Sequence, residues 1–195
     1  MASRDEEKVE SGFNVLPESK PKKEYWILLS IRIITFLATA SATIVMALNK
    51  QTKNFVVATV GSIPVTVPLV AKFQHTPAFI FFVVANGIVS FHNLVMIAMD
   101  ILGPKFDNKG LQLALIAVLD TMALALASAG DGAATSMSEL GRNGNSHAKW
   151  NKICDKFETY CNRGGGALIA SFIGLILLLI VTVMSINKLL KLTRN

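Results

Sequence analysis

GALIASFIGLILLLIVTVMSI, residues 166 to 186, holds no ionisable side chain. At 1.5 Å of rise per residue, such a run covers about 30 Å as a helix, the thickness of a bilayer's hydrocarbon. It reads as a transmembrane helix. Three further segments have the same character: 111 to 130, rich in Ala and Leu; 77 to 102, which begins PAFIFFVVAN; and 25 to 48. Tyr25 and Trp26, which open the last of these, suit the headgroup level. The expected fold is an all-α membrane protein, a four-transmembrane-helix bundle.

Composition points the same way. Of 195 residues, 52% are hydrophobic and 16% charged, whereas soluble domains carry about a quarter charged residues. Mean hydropathy is +0.49. The charges are clustered, so the formal net charge of +6 is that of lysines flanking spans. Aromatic residues are not interleaved with them, and no basic helix face emerges. The expected partner is the lipid bilayer; nucleic acid is not expected. Residues 1 to 24 form a polar tail without the apolar core of a cleaved signal, so the first span serves as an uncleaved signal-anchor.

Basic residues orient the chain. Lys20, Lys22 and Lys23 precede the first span, Lys105 and Lys109 join the second to the third, and Lys188, Lys191 and Arg194 follow the fourth. Positive flanks stay inside. The tails 1 to 24 and 187 to 195 and the loop 103 to 110 are expected to be cytoplasmic; the loops 49 to 76 and 131 to 165 lie outside. Phe55 to Phe73 is apolar enough to resemble a fifth span, but Gly61, Pro64 and Pro68 interrupt it. It is expected as an extended, strand-like loop on the membrane surface. Gly164-Gly165-Gly166 is expected as a flexible lead-in to the fourth span.

Cys154 and Cys161, the sole cysteines, share the second outer loop. Two cysteines in one outward loop read as a disulfide. On one continuous helix they would stand about 10 Å apart along the axis, too far to bond. A disulfide therefore requires Asp155 to Tyr160 to bend.

Arg32 and Asp120 fall inside the first and third spans. Both lie about 10 to 13 Å in from the cytoplasmic boundary, so they can pair within the bundle. His92 and Asn93 of the second span come to similar depth, with Asn86 deeper. The first reading is a structural ion pair, with His92, Asn93 and Asn86 as its polar neighbours. The alternative is a small channel or proton-coupled transporter built on Arg32, Asp120 and His92. Transport paths call for polar residues at successive depths and for broken helices, which favours the structural reading.

Small residues supply packing surfaces. Gly166, Ala170 and Gly174 recur every four residues, as do Ala123 with Ala127 and Ala125 with Ala129. Such stripes let helix backbones approach closely, within a bundle or between copies. His75, His92 and His147 are scattered without metal-ligand spacing, and no nucleophile or nucleotide-binding motif occurs. Asp131 and Glu139, in a Gly- and Ser-rich stretch, are expected in solvent. No catalytic residues, metal or cofactor are expected, and the chain is not read as an enzyme.

The second outer loop carries a resemblance. Gly144-Asn145-Ser146-His147, Trp150, Ile153-Cys154, Phe157 and Cys161 are similar to the corresponding loop of Casparian strip membrane domain proteins of plants. The stretch Thr76 to Asn86 resembles the CASP-like pattern, as does Leu119-Asp120 with its Ala-rich continuation to Ala134. Arg32 and Asp120 match that family's intramembrane Arg and Asp. The resemblance spans roughly residues 20 to 192. It implies a MARVEL-like four-helix protein of the plasma membrane that forms homodimers or larger homo-oligomers and hetero-oligomers with other family members. Casparian strip members build an immobile membrane platform and help localise wall lignification, so partner proteins on the cell-wall side are expected. The first outer loop, Asn49 to Thr76, departs from those members' compact signature. That places the chain among the CASP-like relatives, in their first large subgroup. The expected function is an oligomerising scaffold that organises membrane domains and local wall modification.

Overall fold

The computed structural model describes residues 21–103 and 109–194. Most of the N-terminal tail and much of the short loop between the second and third helices, including Lys20 and Lys105, lie outside the described residues. Four long helices carry the fold: α1 (Pro21–Ala47), α2 (Pro77–Leu102), α3 (Lys109–Asn143) and α4 (Glu158–Arg194). Each is long and apolar enough to cross a membrane. They form a ring in which every helix packs on its sequence neighbours and α4 closes against α1. The bundle is inverted relative to a soluble one: Leu37, Phe91, Met122 and Ile169 face outward, each more than half exposed. Bilayer hydrocarbon is the solvent that suits such a surface.

Local chemistry places the ends. Pro77 opens α2, where its missing N–H is no loss. Gly103 closes it in the left-handed region at φ 48°, its N–H bonded to the Met99 carbonyl. Gly144 (φ 69°) ends α3 likewise. A Cβ there would stand 2.7 Å from the Trp150 carbonyl oxygen, so only glycine fits.

Between α1 and α2 the chain forms an antiparallel hairpin, β1 (Lys50–Val60) and β2 (Ile63–Lys72), then a single 3₁₀ turn at Phe73–His75. Its two-residue turn begins with Gly61 at φ 64°, the position where a II′-type turn calls for glycine. Pro64 and Pro68 sit two turns of the pleat apart on β2, opposite Thr59 and Asn54. An edge strand tolerates such prolines because their nitrogens face away from the ladder. The extended segment expected around Phe55 to Phe73 is thus an ordered hairpin.

Helix runs further than the hydropathy suggests. α3 continues past Gly130 through Asn143, and α4 begins at Glu158 rather than Gly166. Most of the expected outer loop 131 to 165 is therefore helical, and Gly164-Gly165-Gly166 lies within α4 instead of forming a flexible lead-in. Each glycine costs a helix about 1 kcal/mol relative to alanine, but packing overrides that here. A Cβ on Gly130 would meet the Ala85 Cβ at 2.9 Å, so its bareness lets α2 and α3 touch.

The connection from α3 to α4 is a bridged loop. Asn145 and Trp150 exchange two backbone hydrogen bonds, and the Gly141 carbonyl accepts from both Ile153 and Cys154. Cys154 lies before α4 and Cys161 within its first turn, joined by a disulfide with Cα atoms 5.6 Å apart. The chain bends between them, as the spacing requires. Beneath this loop Met46, Phe79, Phe82, Phe157, Tyr160 and Leu168 form the outer core, against which Phe55 and Ala71 of the hairpin rest. A smaller cluster, Val89, Ala123, Ala127 and Leu178, fills the bundle's middle.

Candidate functional site

Two polar layers cross the bundle interior. In the first, Arg32 of α1 meets Asp120 of α3 fork to fork: Nη1 donates to Oδ1 at 3.1 Å and Nη2 to Oδ2 at 2.8 Å. His92 Nε2 of α2 lies 2.9 Å from Oδ1, and Ser185 Oγ of α4 donates to Oδ2 at 2.8 Å. An ionised carboxylate only accepts, so His92 donates through Nε2–H. All four helices are thereby tied to one carboxylate. Arg32 is 1% exposed and Asp120 fully buried. Among the described residues the Arg32 Nε has no hydrogen-bond partner; the Asp100 carboxylate lies 3.9 Å from it, near the C-terminal end of α2. Tyr25 OH donates to the Asp100 carbonyl, joining α1 and α2 there.

Asn86 and Asn93, expected beside the ion pair, stand apart from it. Asn93 Nδ2 turns back to the Val89 carbonyl, and among the described residues its Oδ1 has no partner. Asn86 belongs to a second layer with Asp131 and Ser171, all at most 1% exposed. Ser171 Oγ lies 2.7 Å from Asn86 Oδ1 and 2.6 Å from Asp131 Oδ1. A hydroxyl carries one hydrogen, so it can donate to one of these oxygens at a time. Asn86 Nδ2 is already committed to the Phe82 carbonyl at 3.2 Å, which fixes its amide orientation.

Asp131 is therefore not in solvent; the reading that put it there is corrected. Since α3 continues as a helix past Gly130, Asp131 falls three turns beyond Asp120 and faces the same way. Glu139, further along, is exposed and bonded to Asn143. The spacing from Asp120 to Asp131 was the signal for the second layer. Nothing in the fourth span's composition singles out Ser171 or Ser185.

The expected small-residue stripe also divides. Gly174 is buried, and a Cβ on it would lie 2.9 Å from Thr39 Cγ2 of α1. Ala170 is half-buried and Gly166 exposed. A step of four overshoots the helical turn by about 40°, so a third repeat rotates off the face. The buried line of α4 is instead Gly164, Ala167, Ser171, Gly174 and Leu178. In α3, Ala123 and Ala127 are buried, while Ala125 and Ala129 face outward. Among the described residues no group of three or more His, Cys, Asp or Glu side chains is placed to hold a metal ion.

Comparison with known proteins follows the same outline. The family model of the Casparian strip membrane protein domain matches residues 21–177. The chain is 67% identical to CASP-like protein 1B1 of Glycine max, covering 100% of both chains. It is 64% identical to CASP-like protein 1B2 of Populus trichocarpa, over 97% of this chain and 94% of that one. With CASP-like protein 1B2 of Arabidopsis thaliana the identity is 55%, over 89% and 88%. No solved structure matches significantly.

Proposed function

We propose that this chain, which belongs to the Casparian strip membrane protein family, acts as an oligomerising plasma-membrane scaffold that organises membrane domains. The observation that carries the reading is the saturation of Asp120. Its two oxygens accept two bonds from Arg32, one from His92 and one from Ser185. A carboxylate so engaged fixes four helices in register. It has no lone-pair direction left for a moving proton or ion, so the transport alternative finds no support in this layer.

The rigid bundle presents an apolar surface on every side, available to lipid and to further copies. Homo-oligomers and hetero-oligomers with family members would form through these faces, with Ala125 and Ala129 among the small residues on offer. In the proposed topology both termini are cytoplasmic. The Cys154–Cys161 disulfide supports it, because disulfides persist on the oxidising side of the membrane. The hairpin and the bridged loop before α4 then face the wall, where partner proteins that modify it would dock.

Photobleaching recovery of a fluorescently tagged copy at the cell surface tests the proposal, beside an Asp120→Ala version. A scaffold gives slow recovery in discrete patches, and the variant is retained before reaching the surface. Fast, uniform recovery of the parent would sink the scaffold reading. Normal trafficking of the variant would deny the ion pair its structural role.

A further inference from the structure

The β1–β2 hairpin is amphipathic, and its apolar face is only partly covered. Ladder partners share a face. One face carries Gln51 with Ala71, Lys53 with Leu69, Phe55 with Val67, Ala58 with Val65, and Ile63 near the turn. The other carries Thr52 with Val70, Asn54 with Pro68, Val56 with Thr66, and Thr59 with Pro64. The first face is the one that docks: Phe55 and Ala71 pack on the outer core, and the Phe55 ring lies 5.9 Å from that of Phe157. Toward the turn the same face is bare. Leu69 is 48% exposed, Val67 and Val65 42%, and Ile63 70%.

Geometry says what that bare strip meets. From Ala71 to Ile63 a strand advances about 27 Å, whereas packed helix axes stand about 10 Å apart. A hairpin resting at its base on the end of the bundle and lying along the membrane plane would overhang the bundle's edge, with its apolar face turned toward the helix ends. In a chain with four membrane-crossing helices, the material beside the bundle on that side is lipid. Charge agrees. No charged residue occurs between Lys53 and Lys72. Lys53 is the one cation on the apolar face, and its long stem can lie along apolar surface while its ammonium reaches a phosphate. Water offers nothing to the strip of valines, isoleucine and leucine.

We propose that Ile63, Val65, Val67 and Leu69 rest on the bilayer surface beside the bundle, making the hairpin a lipid-docked arm. The inference needs only that the four helices be inserted, and it holds whether or not copies assemble. Both native cysteines are consumed by the disulfide, so single cysteines introduced at will can carry nitroxide labels.

The test uses the full chain, one copy per nanodisc, in phosphatidylcholine with a fraction of phosphatidylserine. Val65→Cys labels the apolar face and Thr66→Cys the opposite one. Leu37→Cys on the lipid side of α1 and His147→Cys in the bridged loop are the references for lipid and water, and they report whether the bundle is inserted. Collision with oxygen, which partitions into lipid, is compared with collision with a water-soluble nickel chelate. The expected result is a label at Val65 resembling that at Leu37, several-fold more accessible to oxygen than to nickel, and a label at Thr66 resembling that at His147. Equal nickel access at Val65 and Thr66 would place the strip in water and overturn the proposal. Shielding of Val65 from both reagents would mean a protein contact, which overturns it equally.

Discussion

Arg32 and Asp120 join the two helices that face each other across the bundle rather than side by side, through parallel hydrogen bonds of 2.8 and 3.1 Å. The neighbouring helices of the ring meet through apolar packing and neutral hydrogen bonds such as Ser185 to Asp120; this diagonal is closed by opposite charges. A buried pair of this kind contributes little net stability relative to an apolar replacement, but it is costly to break on one side.

The first prediction follows. Arg32→Leu or Asp120→Leu alone should lose about 3–5 kcal/mol of stability, because each strands a buried charge. The double substitution should lose less than either single one. Asp100→Asn should cost under about 1 kcal/mol, as an ion contact of 3.9 Å at a part-exposed carboxylate is weak. Unfolding midpoints in a mild detergent would rank all four. A double variant worse than both singles would show that the pair is not the unit at stake.

The second layer responds in the opposite sense. Ser171 has one hydrogen for two acceptors, and among the described residues no cation pairs with Asp131. Asp131→Asn brings an N–H donor to the place that lacks one, so the variant should match or exceed the parent in stability. Ser171→Ala leaves both acceptors stranded and should cost about 1–3 kcal/mol. The same detergent assay decides, and destabilisation by Asp131→Asn would contradict the hydrogen count.

Gly174 and Gly166 separate two roles that their spacing makes look alike. Gly174→Ala pushes a methyl to 2.9 Å from the Thr39 methyl and should cost about 1–3 kcal/mol through overpacking of α1 against α4. Among the described residues nothing lies within 4 Å of a Cβ on Gly166, so Gly166→Ala should be neutral or gain up to about 1 kcal/mol of helix propensity. Thermal unfolding of the two variants side by side is enough to distinguish them.

Reduction of the disulfide should loosen one end of the molecule only. Cys154 is tied to Gly141 through the backbone and to Cys161 through sulfur. Reduction should cost about 2–3 kcal/mol and raise amide hydrogen exchange from Asn145 to Phe157, while the interior of α1 and α2 stays protected. Uniform loss of protection across all four helices would indicate that the outer loop governs the whole bundle.

The four crossing helices were legible because each is long, apolar and bounded by charge or proline. Arg32 and Asp120 were legible for the complementary reason, as lone charges in those runs. The second layer was hidden by a boundary. Gly130 and Gly132 flank Asp131 and resemble a loop, but Gly130 is bare so that α2 can approach. Once α3 is extended, an 11-residue step from Asp120 to Asp131 is close to three turns and brings the carboxylate inward. Ser171 and Ser185 gave no such warning, since a serine in an apolar helix costs little and its orientation is set by tertiary contacts. The hairpin's pairing was likewise beyond a reading that saw its prolines only as breaks.

Those prolines have a further effect. The stretch from Asn54 to Ala71 is uncharged and rich in β-branched residues, the composition that feeds cross-β growth. Growth needs a strand that can be copied on both sides. Pro64 and Pro68 withhold amide hydrogens along the outer side of β2, leaving β1 as the one usable template. Strand addition can thus proceed once, to a four-stranded pair, and must then stop. The hairpin is in this way closed to open-ended strand growth, however apolar its sequence.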